Sequence, residues 1–149
     1  MSGLSLVFRA ASHLCALDVA RVVEVMRPLP VRGLAGTPWF VRGVSVIRGV
    51  PTPVVDVNVL VGGQVDAERR FVLVTEAGQP VALAVAEVVG VRDLAGAALR
   101  EAPALLRAAG VAVAEALTVL DAELLLILSE SRIVPQSVWA ALERDRAGA

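Results

Sequence analysis

Cysteine and histidine, two residues that often carry chemistry, occur once each in this chain of 149 residues. One cysteine, Cys15, cannot form an intramolecular disulfide, and with one histidine it supplies too few ligands for a typical zinc site. A hydrolase triad would need a nucleophile and a carboxylate to converge on His13, and the adjacent Ser12 lacks that geometry. We therefore expect a protein that is not an enzyme and holds no metal or cofactor. Cys15 is expected to be a buried small hydrophobic residue and His13 an exposed turn residue.

Lysine and tyrosine are absent, and aromatic residues make up only 3% of the chain. All fourteen basic residues are arginines, they are scattered, and the net charge is −1. Nucleic-acid binders usually carry a basic stripe or aromatic side chains on which bases stack. The composition therefore disfavours a nucleic-acid partner.

Long hydrophobic runs are also missing, although apolar residues make up 56% of the chain. The longest runs, such as Val81–Ala86 and Leu124–Leu128, are far shorter than the roughly 20 residues of a membrane-spanning helix. The N-terminus lacks the charged start and long apolar centre of a signal peptide. These features predict a cytoplasmic protein that does not insert into a membrane.

Short valine-rich runs separated by Gly and Pro predict a mainly β fold. Several runs lack polar–apolar alternation, which indicates strands covered on both faces or a small barrel whose outside is partly covered. Two later strands, Ala116–Leu120 and Leu124–Leu128, are joined by a tight hairpin at Asp121–Glu123. The earlier predicted strands are Leu4–Phe8, Val22–Met26, Val41–Ile47, Pro53–Val59, Phe71–Thr75 and Val81–Val85.

Helical signals are few. Asp18–Arg21 predicts one helical turn, a short helix is expected before Pro103, and residues 135–146 predict a terminal amphipathic helix. Trp139 on that helix is expected to anchor it to the barrel, the alternative being a helix offered to a partner. Trp39 is expected to plug a barrel end, with a contact surface as the alternative.

One acidic residue, Asp56, lies inside an apolar run, in the sequence VVDVN. A carboxylate in such a place needs hydrogen-bond donors if it is buried. We expect Asp56 to be partly buried and to cap the turn or accept bonds from backbone N–H groups.

The stretch VRGVSVIRGVPTPVVDV, residues 41–57, resembles the motif of CheW-like domains. Upstream, ALDVARVVEVMRPLPVRGLAGTPWFVRG fits the family pattern with Glu24 and Pro38 in place, and downstream VALAVAEVVGVRDL and LLLILSE also fit. The resemblance covers roughly Leu6 to Leu128. The positions that match the central motif are Gly43, Val44, Arg48, Gly49, Pro53 and Asp56.

The resemblance implies a fold of two small five-stranded β-barrels, of the SH3 or OB type, packed around a shared hydrophobic seam. On this basis residues 1–149 form a single CheW-like domain of two intertwined subdomains, with short helices and a C-terminal helix. The family also implies a role. CheW-like proteins are non-catalytic adaptors that couple the signalling tips of methyl-accepting chemotaxis receptors to the regulatory domain of a CheA-type histidine kinase, and they join other CheW-like proteins in receptor arrays.

The resemblance also implies site residues. Arg48 is expected to pair with Glu24 across neighbouring strands and to help shape a groove for the receptor tip. The receptor-binding positions are Val19, Val22, Glu24 and Arg48; the kinase-binding positions are Val50 and Thr52; and the structural positions are Gly43, Gly49, Pro53 and Asp56.

Three residues depart from the family pattern. Val46 replaces the asparagine before the Leu-Arg-Gly of the motif, Ala86 replaces an aspartate, and Pro51 interrupts a strand. Pro51 removes a backbone donor at an expected sheet edge. These departures predict an adaptor whose kinase binding is weakened or lost. The alternative function is a small-barrel nucleic-acid-binding protein of the OB type.

Overall fold

The computed structural model describes residues 3–62, 69–96, 100–101, 114–128, 134 and 136–147. These residues are mainly β-structure. A 3-10 turn at Val19–Arg21 and two helices, α1 (Val57–Leu60) and α2 (Gln136–Ala147), accompany the strands. The strands are β1 (Leu4–Ala10), β2 (His13–Asp18), β3 (Val22–Met26), β4 (Val41–Ile47), β5 (Val50–Asp56), β6 (Arg70–Glu76), β7 (Gln79–Val85), β8 (Glu87–Asp93), β9 (Arg100–Glu101), β10 (Ala114–Leu120) and β11 (Glu123–Leu128).

The strands form two sheets. Sheet I has the order β8-β1-β2-β11-β10-β9, and sheet II has the order β3-β6-β7-β5-β4. The predicted fold class, two small barrel-like units of about five strands each with short helices and a C-terminal helix, is confirmed. Sheet I has a sixth strand because the two-residue strand β9 adds to its edge beside β10. Sheet II is built from strands consecutive in sequence, whereas sheet I combines strands from both ends of the chain.

An ion pair ties the two ends of the chain together on sheet I. The Arg9 guanidinium donates two hydrogen bonds to the Glu123 carboxylate, at 2.7 and 2.9 Å, across 114 residues of sequence. These hydrogen bonds hold the pKa of Glu123 below its usual value. The pair therefore supports the placement of β1 near the start of β11.

The two sheets repeat the same internal arrangement. Each contains two antiparallel hairpins joined by a parallel pair of strands, β2 with β11 in sheet I and β7 with β5 in sheet II. The β4–β5 hairpin of sheet II is therefore equivalent in position to the β10–β11 hairpin of sheet I. Both hairpins turn through two residues with positive φ, Arg48 and Gly49 in one and Asp121 and Ala122 in the other, as in type I′ turns.

Both faces of the sheets are covered by hydrophobic side chains. The central core, between the sheets, includes Phe8 and Leu17 from sheet I, Leu83 from sheet II, and Trp139 and Leu142 from α2. A second cluster lies on the other face of sheet II and a third on the other face of sheet I. This double coverage explains why the strands lack alternation. Trp139 anchors α2 to the core, as expected.

Several predicted elements differ from the observed ones. Strand β5 spans Val50–Asp56 rather than Pro53–Val59. It ends before Val57 because Asp56 caps α1. The helix expected before Pro103 lies mainly outside the described residues, and the two described there, Arg100–Glu101, form β9. Strands β2 and β8 were not predicted.

Strand β5 lies between β7 and β4, but only Val54–Asp56 pair with β7. Pro51 therefore pairs with β4 on one side and with no strand on the other, as expected of a local edge. Pro51 and Pro53 face Val46 and Val44 of β4. In a hairpin with a two-residue turn, alternate facing pairs exchange no hydrogen bonds, and the pair next to the turn is a bonded one. Both prolines therefore occupy non-bonded positions toward β4, where the missing N–H removes no hydrogen bond from the β4–β5 pair.

Candidate protein-binding site

Arg48 occupies the first position of the β4–β5 turn and projects into solvent. Its φ is 51°, and Gly49 follows with φ 77°. Glycine adopts such a conformation without strain, which explains Gly49 at the second turn position. The Arg48 side chain is 68% exposed, so the turn presents a guanidinium at the end of sheet II.

Arg48 forms an ion pair with Glu24 of β3, at 2.5 Å between Nη2 and Oε1. The predicted pairing of these two residues is therefore present, but its expected geometry was wrong. Strands β3 and β4 are not neighbours; they are the two opposite edges of sheet II. The sheet curls so that the β4–β5 turn reaches β3, and Glu24–Arg48 joins its two edges.

The other two predicted receptor-binding residues lie just before Glu24. Val19 is the first residue of the 3-10 turn. The Asp18 carboxylate caps this turn by accepting a hydrogen bond from the Ala20 N–H at 3.0 Å. Val22 starts β3 opposite Val74 and packs against the central core. A register shift follows it, so Glu24 pairs with Leu73 and lies on the other face of sheet II. Val19 and Val22 are both half-buried. Their receptor-binding role stays a prediction.

A cavity of about 420 Å³ lies beside the same hairpin. It lies between the segment that follows β3, residues 29–32, and the ends of β4 and β5 next to their turn. Its walls are mainly apolar, and Val46 stands at its rim with 62% of its surface exposed. The lining residues are Leu29, Pro30, Val31, Arg32, Val44, Ser45, Val46 and Pro51.

The two predicted kinase-binding residues differ in accessibility. Val50 is exposed, whereas Thr52 is fully buried and its hydroxyl donates to the Val50 carbonyl at 3.0 Å. Helix α2 lies next to Val50 and Pro51, with a cavity of about 70 Å³ between them. A partner at this edge would therefore touch Val50 and α2 rather than the Thr52 side chain. The kinase-binding role of Val50 and Thr52 stays a prediction.

Gly43 allows a close backbone approach next to the site. The Arg32 N–H and carbonyl both bond to Val44, at 2.8 Å each. A Cβ on Gly43, which has φ 145°, would lie 2.0 Å from the Arg32 carbonyl oxygen. Only glycine fits here, and the bridge it permits holds the segment after β3 against β4. Pro53 is buried opposite Val44.

Asp56 is 2% exposed and has structural partners. Its Oδ1 accepts from the Val59 N–H at 3.3 Å, as the expected turn cap. Its Oδ2 accepts from Nε and Nη2 of Arg42, at 3.0 and 2.7 Å. Sequence reasoning missed Arg42. The available signal was one arginine and one aspartate, each alone in an apolar strand, on two strands expected to pair.

Trp39 does not plug a barrel end, so that prediction was wrong. Its side chain is 67% exposed, and its only described ring contact is edge-on with Phe40, at 5.4 Å between centroids. Phe40 turns inward and packs against the central core instead. The exposure of Trp39 fits the alternative, a contact surface.

Cys15 is fully buried, as expected, and burial raises the pKa of its thiol to about 12. A thiol reagent at pH 8 should therefore modify the native protein only when the core opens, because the buried thiol is inaccessible and its raised pKa keeps it protonated. We expect the native protein to resist modification for hours and the guanidinium-unfolded chain to react within minutes. The measurement is absorbance of the released chromophore over time.

Fast modification of Cys15 under native conditions would contradict this placement of β2 in the core. Val7→Ala, which opens a cavity on the other face of sheet I, should speed the reaction by destabilising the fold.

The geometry can now be compared with known proteins. A family model described as the CheW-like domain matches residues 5–138. This chain belongs to the CheW-like domain family. The resemblance noted in the sequence is thereby confirmed, and the family match spans both sheets.

Two relatives of the CheW-like chain support the assignment. The chemotaxis protein CheW of Klebsiella aerogenes is 32% identical over 101 residues, which cover 66% of this chain and 61% of that protein. The chain thus spans less than two thirds of that relative's length. The crystal structure of the scaffolding protein TtCheW from Thermoanaerobacter tengcongensis matches with a TM-score of 0.71 and 26% identity, covering 87% of this chain and 90% of that one.

Proposed function

We propose that this CheW-like chain is a non-catalytic cytoplasmic adaptor that couples methyl-accepting chemotaxis receptors to a CheA-type histidine kinase within receptor arrays. The observation that carries the proposal is the Glu24–Arg48 pair, which presents an exposed guanidinium beside an apolar cavity. The chain acts as one domain whose two sheets are intertwined. In the described part of the chain no helix is long and apolar enough to span a membrane.

The receptor side is the surface formed by Val19, Val22, Glu24 and Arg48. A helical hairpin tip binds by laying apolar side chains in a groove and pairing polar ones at its rim. The half-buried Val19 and Val22 offer apolar surface to such a partner, and Arg48 offers a guanidinium that Glu24 orients. Glu24 fixes the direction of the Arg48 side chain, which remains exposed enough to donate hydrogen bonds to a second carboxylate.

The kinase side is the edge at Val50, next to α2. Here the partner would be the kinase's regulatory domain or another CheW-like protein. Because Thr52 is buried and Pro51 faces α2, the contact available at this edge is small. This supports kinase binding that is weakened or lost relative to the family.

Replacing Arg48 with aspartate should weaken receptor binding at least about tenfold while the fold persists. The change puts a second carboxylate beside Glu24 and repels an acidic partner. An exposed ion pair contributes only about 0–1 kcal/mol to stability, and aspartate tolerates positive φ better than most residues. The measurement is titration of a purified receptor signalling fragment, with a circular dichroism melt of each variant.

Arg92→Asp is the matched control, because Arg92 is also exposed but lies on sheet I and bonds to a backbone carbonyl. Unchanged receptor binding by Arg48→Asp, or equal loss in both variants, would count against the proposed surface. Parallel titration with a CheA regulatory domain reports whether kinase binding is retained.

A further inference from the structure

A cavity with mainly polar walls, about 310 Å³ in volume, lies where the chain crosses from sheet II to sheet I. We call it the junction cavity. Its walls are Arg69 and Arg70, at the start of β6, and Ala86, Glu87 and Val88, which join β7 to β8. Backbone hydrogen bonds hold both walls: the Arg69 N–H donates to the Val85 carbonyl at 3.1 Å, and the Ala86 N–H donates to the Arg9 carbonyl at 3.0 Å.

The junction cavity lies at the end of sheet II that is opposite the β4–β5 turn. Arg70 pairs with Val85 at the end of β7. Strand β7 runs parallel to β5, so this is the side on which β5 ends at Asp56, whereas the β4–β5 turn precedes the start of β5. The cavity therefore shares no residue with the surfaces proposed above for the receptor and the kinase.

Positive charge is in excess around the junction cavity. Arg69 and Arg70 are both exposed, and within the described part of the chain neither guanidinium pairs with a carboxylate. Arg70 Nη1 donates instead to the Arg69 backbone carbonyl, at 2.7 Å. Glu87 is the acidic residue of the walls, and it lies opposite Arg9 of β1. The charges of the two arginines are therefore left for a ligand.

Ala86 brings no charge to the cavity. It is half-buried in the wall, and its methyl group makes no hydrogen bond. An aspartate at this position, as in the CheW-like pattern, would place a carboxylate of the chain itself in the cavity. In this chain an anion that pairs with Arg69 and Arg70 has to come from outside.

We propose that the junction cavity binds a small anion that carries a carboxylate or phosphate group, held by the guanidinium groups of Arg69 and Arg70. A guanidinium can donate two parallel hydrogen bonds to either group. The volume of about 310 Å³ is at the lower end of the range of about 300–1,000 Å³ usual for ligand pockets, so it suits a compact ligand. The adaptor would thus have a ligand site at the joint between its two sheets.

Succinate and inorganic phosphate are the probes, each titrated at low ionic strength, where screening is weak. The measurement is the NMR chemical shift of the arginine Nε–H groups, and we expect saturable shifts for Arg69 and Arg70. Arg69→Gln and Arg70→Gln should each weaken binding at least about tenfold, the loss expected for a hydrogen bond to a charged group.

Arg92→Gln is the matched control. Arg92 is also exposed, and its Nη1 also donates to the carbonyl of the preceding residue, at 3.0 Å. Because Arg92 does not line the junction cavity, this variant should bind both probes within about twofold of the parent.

Ala86→Asp tests the cavity from its other wall, because the new carboxylate competes with the ligand for the arginines. It should weaken binding at least about tenfold. Ala86→Asn has nearly the same shape without the charge and should retain most of the binding. A circular dichroism melt of each variant checks that the fold persists.

The outcomes separate clearly. Saturation by succinate alone or by phosphate alone supports the site and identifies the group that it binds. The absence of saturable shifts in the parent, equal weakening by Arg92→Gln and Arg69→Gln, or equal weakening by Ala86→Asp and Ala86→Asn would each overturn the proposal. No receptor or kinase takes part in these measurements, so failure of this site leaves the proposed function standing.

Discussion

Replacing Gly43 with alanine is expected to lower the free energy of unfolding by more than about 4 kcal/mol, an exceptional loss for one methyl group. The added Cβ would lie 2.0 Å from the Arg32 carbonyl oxygen and 2.9 Å from the Gly33 Cα. Both are backbone atoms, so no side-chain rotation relieves the clash. The bridge between Arg32 and Val44 must break, which frees the segment that lines the cavity beside Val46.

For a chain of this size a loss of about 4 kcal/mol corresponds to a fall of roughly 8–16 °C in Tm. Gly33→Ala is the matched control, because its Cβ would meet no atom within 4 Å; its stability should change by less than about 1 kcal/mol. Similar Tm values for the two variants would show that the close approach at Gly43 is not required.

Replacing Asp56 with alanine should cost about 3 kcal/mol, the second largest expected effect. The change leaves the Arg42 guanidinium, which is 24% exposed, without its carboxylate partner. It also removes the cap from the Val59 N–H at the start of α1. Chemical denaturation of the parent and the variant, fitted with the same m-value, measures the loss of unfolding free energy.

Two further variants separate the causes at Asp56. Asp56→Asn keeps an acceptor for Val59 and removes the charge, so its cost should be intermediate. Removing Arg42 as well, in Asp56→Ala with Arg42→Met, should cost less than the sum of the single changes. If the losses of unfolding free energy simply add, the Asp56 and Arg42 side chains do not stabilise each other. Asp18→Ala, which uncaps a surface turn, is the control and should cost about 1 kcal/mol or less.

The sequence predicted strands well where β-branched residues are dense. Val22–Met26 and Val41–Ile47 have the expected bounds. Strand β2, His13–Asp18, was missed because its buried residues are Leu, Cys and Ala, which carry no β preference. Strand β8, Glu87–Asp93, is an edge strand with a central glycine and charged ends, features that also occur in loops.

The candidate site was only partly predictable. The family motif identified Glu24 and Arg48, but their contact depends on the curl of sheet II, which brings opposite edges together and leaves no local pattern. The cavity beside Val46 depends on the register between Arg32 and Val44, which a single isolated bridge sets. Interactions between segments without periodicity cannot be read from composition or spacing.

The mixed origin of sheet I has a consequence for how the chain acquires its structure. Sheet II uses strands that follow one another along the chain, so it can assemble during synthesis as they emerge. Sheet I needs β2 to meet β11, and Arg9 to meet Glu123 across 114 residues. Closing so long a loop carries an entropic cost that must be met before the contacts form, and such topologies fold slowly. The face of the β1–β2 hairpin that carries Val7 and Leu14 therefore stays uncovered until β11 supplies Leu125 and Ile127.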